Sequence, residues 1–282
     1  MEEEKTDTSI PTSGAIRPLQ YLEGLRLFYR DPNFTNNLLI GSIFMLIPIV
    51  GPIVLAGWVC EIIQRLIRRH PRPFPRLDFS DFGDYLGRGL VPFVVNFAAS
   101  IPLVIVIYII MIVVALATAA LVRATGQTPT VLFAIVFGIG AYLAVIFPAS
   151  VIIFSMMTFA EITEDFGTAF SFGRVFGYAK RNWKAILISM LVLIPVSFGM
   201  TLAGMIACFI GIYPVIVMLQ ATFVHLRWQI YENDLASGGE PLPMKPERLL
   251  SSERPQAAPM IPKPAGSPQA PPPPPAPPSP GA

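Results

Sequence analysis

Four long stretches of the chain contain no charged side chain. They run over residues 32–60, 90–122, 124–160 and 185–224. A helix needs about 20 apolar residues to cross a hydrocarbon layer about 30 Å thick, so each stretch is long enough to span a membrane. The alternative is a large water-soluble protein with buried helices, but such helices would lack charged residues to solvate their ends. The pattern therefore predicts an all-α integral membrane protein.

The lengths of these stretches indicate how many times the chain crosses the membrane. As a single helix, the last stretch would be about 60 Å long at 1.5 Å per residue. It must fold back, and Pro195, Gly199 and Gly204 are candidate positions for the turn. The second and third stretches flank RATGQTPT and form another hairpin, with Arg123 at its tip. We expect about six membrane helices in three hairpins, at about residues 33–69, 90–159 and 184–230.

The first stretch leaves three arrangements open. It can form a hairpin that turns at Pro48–Pro52, a re-entrant loop, or one kinked span. Lysine and arginine prefer cytoplasmic loops, and basic residues both precede and follow this stretch. A hairpin places 19 of the 20 basic residues inside and leaves only Arg123 outside. The charges therefore favour a hairpin in a multi-pass protein of the cytoplasmic membrane, with both termini cytoplasmic.

A segment with an amphipathic pattern precedes each hairpin. The first segment has an apolar and a charged helical face, formed by Leu22, Leu25 and Tyr29 and by Glu23, Arg26 and Arg30. The third has an apolar stripe at helical spacing, made of Ile162, Phe166, Ala169, Phe170, Gly173 and Phe176. Residues 24–34 also align with residues 173–183, which supports a threefold repeat of lead-in helix plus hairpin. We expect these helices to lie in the membrane interface, in contact with lipids.

The second amphipathic segment, residues 73–90, forms an interfacial helix if it starts near Phe79. Its membrane face would consist of Phe79, Phe82, Leu86 and Leu90. Asp81, Asp84 and Arg88 would form its water-exposed face, with Asp84 and Arg88 as an ion pair. Gly87 and Gly89 would loosen the chain as it enters the membrane.

The three aspartates of this segment have an alternative interpretation. Asp78, Asp81 and Asp84 are candidates for a metal site or for catalytic carboxylates. Each also has a structural use, since Asp78 can cap the helix start. A metal site needs converging ligands, and His70 and His225 lie in no ligand motif. We therefore favour the structural interpretation and expect no metal and no cofactor.

Other positions point to helix packing rather than chemistry. Small residues recur every fourth position, namely Gly199, Ala203, Ala207 and Gly211. On one helix they would form a close-packing strip, which the hairpin turn could interrupt. Glu61 is expected to pair with Arg65, one turn later. Two cysteines, Cys60 and Cys208, are too few for a disulfide framework, and a net charge of +2 gives no footprint for nucleic acid.

The two ends of the chain are polar or proline-rich. Residues 1–17 are expected to be a disordered tail, residues 18–232 the membrane domain, and residues 233–282 a second disordered tail. The part from Glu240 onward holds 16 of the 30 prolines, and such a composition favours extended polyproline conformations. It is either a plain solvated tail or the ligand of a protein partner with an aromatic groove.

The segment from Leu38 to Leu90 resembles the uncharacterised prokaryotic membrane family called domain of unknown function 4013. The resemblance rests on an apolar run with Ile-Pro-Ile, an arginine-rich helix end and an acidic segment. In that segment the matching residues are Pro75, Asp81, Phe82, Gly83, Asp84 and Gly89. The resemblance covers about residues 19–232, with Leu77 or Phe79 at the family's usual tryptophan. It implies an integral membrane protein and no reaction.

The sequence favours a non-enzymatic function. It contains no P-loop, HExxH, G-x-S-x-G or CxxC motif. The amphipathic segments and the proline-rich tail favour a protein that organises the membrane or binds partners. The alternatives are a transporter or permease component for a small apolar or lipid-like molecule, and a membrane enzyme that acts through its aspartates. The oligomeric state and the biological process are left open.

Overall fold

The computed structural model describes residues 16–125, 128–207 and 209–253, and within these ranges helices are the only regular secondary structure. Eight α-helices follow one another in these ranges: α1 (Glu23–Arg30), α2 (Phe34–Met45), α3 (Val50–Ile67), α4 (Phe82–Thr125), α5 (Thr128–Thr163), α6 (Phe166–Ala169), α7 (Phe172–Ile206) and α8 (Ile212–Ala236). Two short 3₁₀ turns cover Phe79–Asp81 and Ser251–Glu253.

Four helical segments are long and apolar enough to cross a membrane. They are Val50–Ile67, Phe79–Ala124, Val131–Thr163 and Phe172–Ile206. With 12 residues, α2 would reach only about 18 Å at 1.5 Å per residue, short of a full crossing. The all-helical architecture and the apolar helices thus agree with the expected class, an integral membrane protein.

Helix α3 is the central helix of the structure. Fifteen of its 18 residues are buried, and it packs against α2, α4, α5 and α8. The hydrophobic core lies around it and includes Phe28, Trp58, Phe74 and Tyr85. Helices that follow one another in the chain also pack in pairs, α2 with α3, α4 with α5, and α7 with α8. The core therefore surrounds α3, and the buried charged side chains Glu61 and Arg65 lie beside it.

The outer parts of α4 and α5 extend beyond this core. Their apolar side chains are largely exposed; Leu116 is 65% and Phe133 is 69% exposed. Water-soluble proteins rarely expose contiguous apolar patches of this kind. An exposed apolar surface of this kind is stable in contact with the hydrocarbon chains of lipids.

Two of the three expected lead-in helices, the second and the third, differ from the prediction. The second is no independent helix, because Phe79–Asp81 runs directly into α4. The third is broken: α5 continues to Thr163, Glu164 adopts a left-handed φ of 48°, and Asp165 caps the four-residue α6. This capping oxygen accepts a hydrogen bond from the Thr168 N–H at 2.7 Å.

Helix α1 forms where the first lead-in was expected, and it packs on the protein through residues outside the predicted apolar face. Gly24 and Phe28 are buried, whereas Leu22 and Tyr29 of the predicted apolar face are exposed. A Cβ atom on Gly24 would lie 2.7 Å from the His225 Cβ, so α1 lies closely against α8. Its aligned counterpart, Gly173, is exposed, which gives the proposed repeat no support from packing.

The C-terminal boundary also differs from the expected one. Helix α8 continues to Ala236, beyond the expected boundary at residue 232. Residues 240–253, here called the C-terminal strap, then pack back on the helices, with Leu242 and Leu250 buried. Residues 1–15 and 254–282, which hold most of the predicted tails, lie outside the described residues, as does Cys208.

Candidate functional site

A buried arginine of α4, Arg88, lies at the centre of a cluster of buried charged and polar side chains. Arg88 is 8% exposed. Its Nε donates to Oε1 of Glu164 at 2.8 Å, one Nη pairs with Glu61, and the other donates to the Gln64 side chain at 2.8 Å. Residues from α3, α4 and the end of α5 are therefore joined by one guanidinium group.

A second arginine, Arg65, extends this network to the C-terminal strap. Its Nε lies 2.5 Å from Oε1 of Glu61, and one Nη donates to both carboxylate oxygens of Glu253 at 2.8 and 2.9 Å. Glu61 thus bridges Arg65 and Arg88. The expected Glu61–Arg65 pair is confirmed, as part of a larger network.

The helices place these groups for simple geometric reasons. Glu61, Gln64 and Arg65 are three and four residues apart on α3 and so share a face. Arg88 directly precedes Gly89, where a Cβ atom would lie 1.7 Å from the Ile53 carbonyl oxygen. This close approach of α4 to α3 brings the Arg88 side chain within reach of Glu61.

The C-terminal strap is held by the aspartates of the acidic segment. Asp81 accepts hydrogen bonds from the backbone N–H and hydroxyl of Ser252 at 2.7 and 2.6 Å. Asp84 accepts from the N–H and hydroxyl of Ser251 at 3.1 and 2.7 Å. Two carboxylates at the start of α4 therefore cap the short turn that ends the strap.

Apolar and basic contacts hold the rest of the strap. Leu250 is 2% exposed, and the Leu242 N–H donates to the Tyr231 hydroxyl at 2.8 Å. The Lys245 ammonium donates to the backbone carbonyl of Glu164 at 3.0 Å. The strap is thus attached along its length to α5, α8 and the ends of α3 and α4.

The three aspartates that were weak candidates for a metal site have different partners in the structure. Asp78 caps the 3₁₀ turn by accepting from Ser80, and this contact holds the pKa of the Asp78 carboxyl below its usual value. Asp81 and Asp84 bind the strap instead. Within the described ranges, no group of three potential ligands converges on a metal position.

The predicted faces of the interfacial helix need correction. Asp81 and Arg88 are buried, so they do not form a water-exposed face. The sequence pattern could not show this because their partners, Ser252 and Glu164, are distant in the chain. Phe79 is exposed and lies against Phe44, while Phe82 and Leu86 pack partly against the core. Whether these apolar side chains also meet lipid stays a prediction.

The predicted small-residue strip is interrupted by a turn. Helix α7 ends at Ile206 and α8 begins at Ile212, so Ala207 and Gly211 lie outside the helix that carries Gly199 and Ala203. A Cβ atom on Gly199 would meet nothing within 4 Å. The close contact joins Gly204 to Gly211 across the turn, where an added Cβ would lie 2.8 Å from a carbonyl oxygen.

A second buried ion pair lies nearer the apolar region. Nε of Arg227 is 2.8 Å from Oε2 of Glu161, although neither atom makes a well-directed hydrogen bond to another described residue. Glu161 also lines a cavity of about 150 Å³, together with Asn96 and Gln220. Sequence reasoning missed this carboxylate as a site residue.

The charges at the ends of the apolar stretches were the signal that sequence reasoning left unused. Glu61, Arg88 and Glu161 each lie directly beside such a stretch, and Glu164 follows three residues later. Opposite charges at the ends of helices that pack together are expected to meet. Reading them as possible pairs would have indicated that buried ion pairs form, although not which charges meet.

These features define a helical membrane protein with a buried ionic network at one end. The chain belongs to the DUF4013 family of proteins of unknown function, whose profile matches residues 40–221. The family resemblance drawn from the acidic segment is thereby confirmed. No curated protein and no solved structure matches the chain.

Proposed function

We propose that this chain is a non-enzymatic, multi-pass protein of the cytoplasmic membrane that organises partners at the membrane surface. The observation that carries the proposal is the attachment of Ser251, Ser252 and Glu253 to Asp84, Asp81 and Arg65. Thirteen of the 16 prolines from Glu240 onward follow this attachment. A partner that binds the tail would therefore be held at a fixed point on the helices.

The proposed topology is three hairpins, with both termini in the cytoplasm. The apolar lengths of α4, α5 and α7 support a full crossing by each of these three helices, and the 25-residue α8 is taken as the returning arm of the last hairpin. The short α2 and the buried α3 favour a first hairpin that enters the membrane without a full crossing. Either form of the first hairpin returns to its starting side, so the positive-inside bias of the loops still applies.

Membrane lipids are the second proposed partner. An apolar groove of about 350 Å³ lies between α4 and α5, and Phe170 and Phe172 are among the residues that line it. Pro102 and Ala149 lie among its walls. Its almost wholly apolar lining suits an acyl chain, which would fill space between the two helices.

The test of the tail as a partner site is a truncation after Glu253. Crosslinking in intact membranes should give a complex with the full chain that is lost on truncation. A matched control keeps the tail length but replaces the prolines after residue 253 with serine, and it should lose the same complex. Identical crosslinked species with and without the tail would contradict the proposal.

A transporter or permease component is the second candidate function. The cavity beside Glu161 favours it, because ionisable residues facing a cavity at membrane depth often mark a transport path. Purified protein in vesicles would then carry a small solute, and Glu161→Gln would slow uptake while the exposed Glu247→Gln would not. Equal uptake by vesicles with and without protein would remove this candidate.

A further inference from the structure

A pocket of about 380 Å³ lies between the N-terminal segment, α1, the end of α3 and α8. Its volume falls in the usual range for small-molecule sites, about 300–1,000 Å³. It is separate from the ionic network and from the attachment of the strap. Its charged and aromatic lining consists of Arg17, Glu23, Arg69, His225, Trp228 and Glu232.

The wall formed by residues 17–20 is held in place by two side-chain amides of α8. Asn233 accepts from the Arg17 N–H at 2.9 Å and donates to the Arg17 carbonyl at 2.8 Å. Gln229 makes the same pair of bonds with Gln20, at 2.8 and 3.0 Å. Because these four hydrogen bonds use only backbone atoms of Arg17 and Gln20, a change of the Arg17 side chain leaves their donors and acceptors in place.

The charges around the pocket balance. The lining includes two arginines, Arg17 and Arg69, and two carboxylates, Glu23 and Glu232. A net-neutral lining with both signs suits a ligand that is itself a zwitterion. The Trp228 ring adds an aromatic surface, with the Arg69 guanidinium 5.3 Å from its centre.

Two polar atoms of the lining residues lack partners among the described residues. Oε2 of Glu232 pairs with Arg69, but Oε1 makes no hydrogen bond, and neither does Nε1 of Trp228. Both atoms are buried, and a buried polar atom without a partner costs free energy. After a small side-chain rotation, a ligand with one strong donor and one strong acceptor would satisfy both.

We propose that this pocket binds a small zwitterion that carries a primary ammonium group and an oxyanion, as in an aminophospholipid headgroup. The ammonium group donates to Glu232, and the oxyanion accepts from Arg17 and from the Trp228 N–H. A free zwitterion such as phosphoethanolamine has the same chemistry, and the experiment separates the two sources.

The experiment uses the full chain in nanodiscs and in detergent. Native mass spectrometry should show phosphatidylethanolamine retained in preference to phosphatidylcholine, which has no ammonium N–H, and to phosphatidylglycerol, which has no cation. Calorimetry with soluble phosphoethanolamine tests the free ligand. Binding of the lipid alone assigns the site to a headgroup, and binding of the soluble compound assigns it to a free zwitterion.

Two variants test whether the bound zwitterion occupies this pocket. Glu232→Gln and Arg17→Gln should each weaken binding by at least about tenfold, as expected for the loss of one charged hydrogen bond. The exposed Glu247→Gln should bind like the wild type. Arg17 lies on an exposed segment, so its variant keeps the test valid if Glu232→Gln fails to fold. Equal retention of the three lipids without binding of phosphoethanolamine, or undiminished binding by both variants, would overturn the proposal.

Discussion

Gly57 of α3 and Gly89 of α4 meet backbone against backbone. A Cβ atom added to Gly89 would lie 2.6 Å from the Gly57 nitrogen and 1.7 Å from the Ile53 carbonyl oxygen. A Cβ atom on Gly57 would lie 1.9 Å from the Tyr85 carbonyl oxygen. The crossing of α3 and α4 therefore requires glycine at both positions, and it places Arg88 beside Glu61.

The first prediction compares two glycines on the same helix. Gly89→Ala should lower the thermal stability in mild detergent, because overpacking costs about 1–3 kcal/mol or more when the backbone must shift. Gly87→Ala is the control, since nothing lies within 4 Å of its Cβ position. Alanine there should be neutral or add about 0.5–1 kcal/mol through better helix propensity. Equal melting temperatures for the two variants would contradict the close crossing.

The second prediction concerns the buried guanidinium group. Arg88→Met would leave Glu61 with Arg65 as its ion-pair partner and Glu164 with only the more distant Lys245 at 3.7 Å, and breaking a buried ion pair typically costs about 3–5 kcal/mol. Arg76→Met, at an exposed position, is the control and should change little. Adding Glu164→Gln to Arg88→Met should recover part of the loss, because one uncompensated charge is removed. An Arg88→Met protein as stable as the control would show that the network does not hold the helices together.

The third prediction concerns topology. Single-cysteine variants Thr8→Cys, Gln127→Cys and Ser267→Cys would be made in a background with Cys60 and Cys208 replaced by alanine. Only Gln127→Cys should react with a membrane-impermeant thiol reagent added to intact cells, because the basic loops favour cytoplasmic tails. All three should react after permeabilisation. Labelling of Thr8→Cys without Ser267→Cys would instead indicate a single first crossing.

The fold class could be predicted from the sequence because four uncharged apolar stretches of this length favour the hydrocarbon interior of a membrane over water. The observed α2–α3 turn at residues 46–49 also lies beside the predicted Pro48–Pro52, since proline and glycine end helices locally. The sequence could not show whether the lead-in segments form helices separate from the membrane helices that follow them. The segment that begins at Phe79 continues into α4 without a break, and helical spacing does not show where a helix stops.

The candidate site was much less predictable. The sequence indicates the Glu61–Arg65 pair because four residues separate its members. It cannot indicate that Ser252 meets Asp81, 171 residues away, or that Gly57 meets Gly89. Such contacts depend on how the helices pack, and a polar side chain on a helix gives the same local pattern whether it faces water or a distant partner.

The most direct test of the central claim is hydrogen–deuterium exchange of the strap in the full chain in nanodiscs. The amides of Ser251 and Ser252 donate to Asp84 and Asp81, so they should exchange slowly in the wild type. Slow exchange should be lost in the Asp81→Ala/Asp84→Ala variant and kept in Asp78→Ala, whose carboxylate caps only its own turn. Exchange of these amides in the wild type at the rate of an unstructured peptide would contradict the claim that the strap holds the proline-rich sequence at a fixed point.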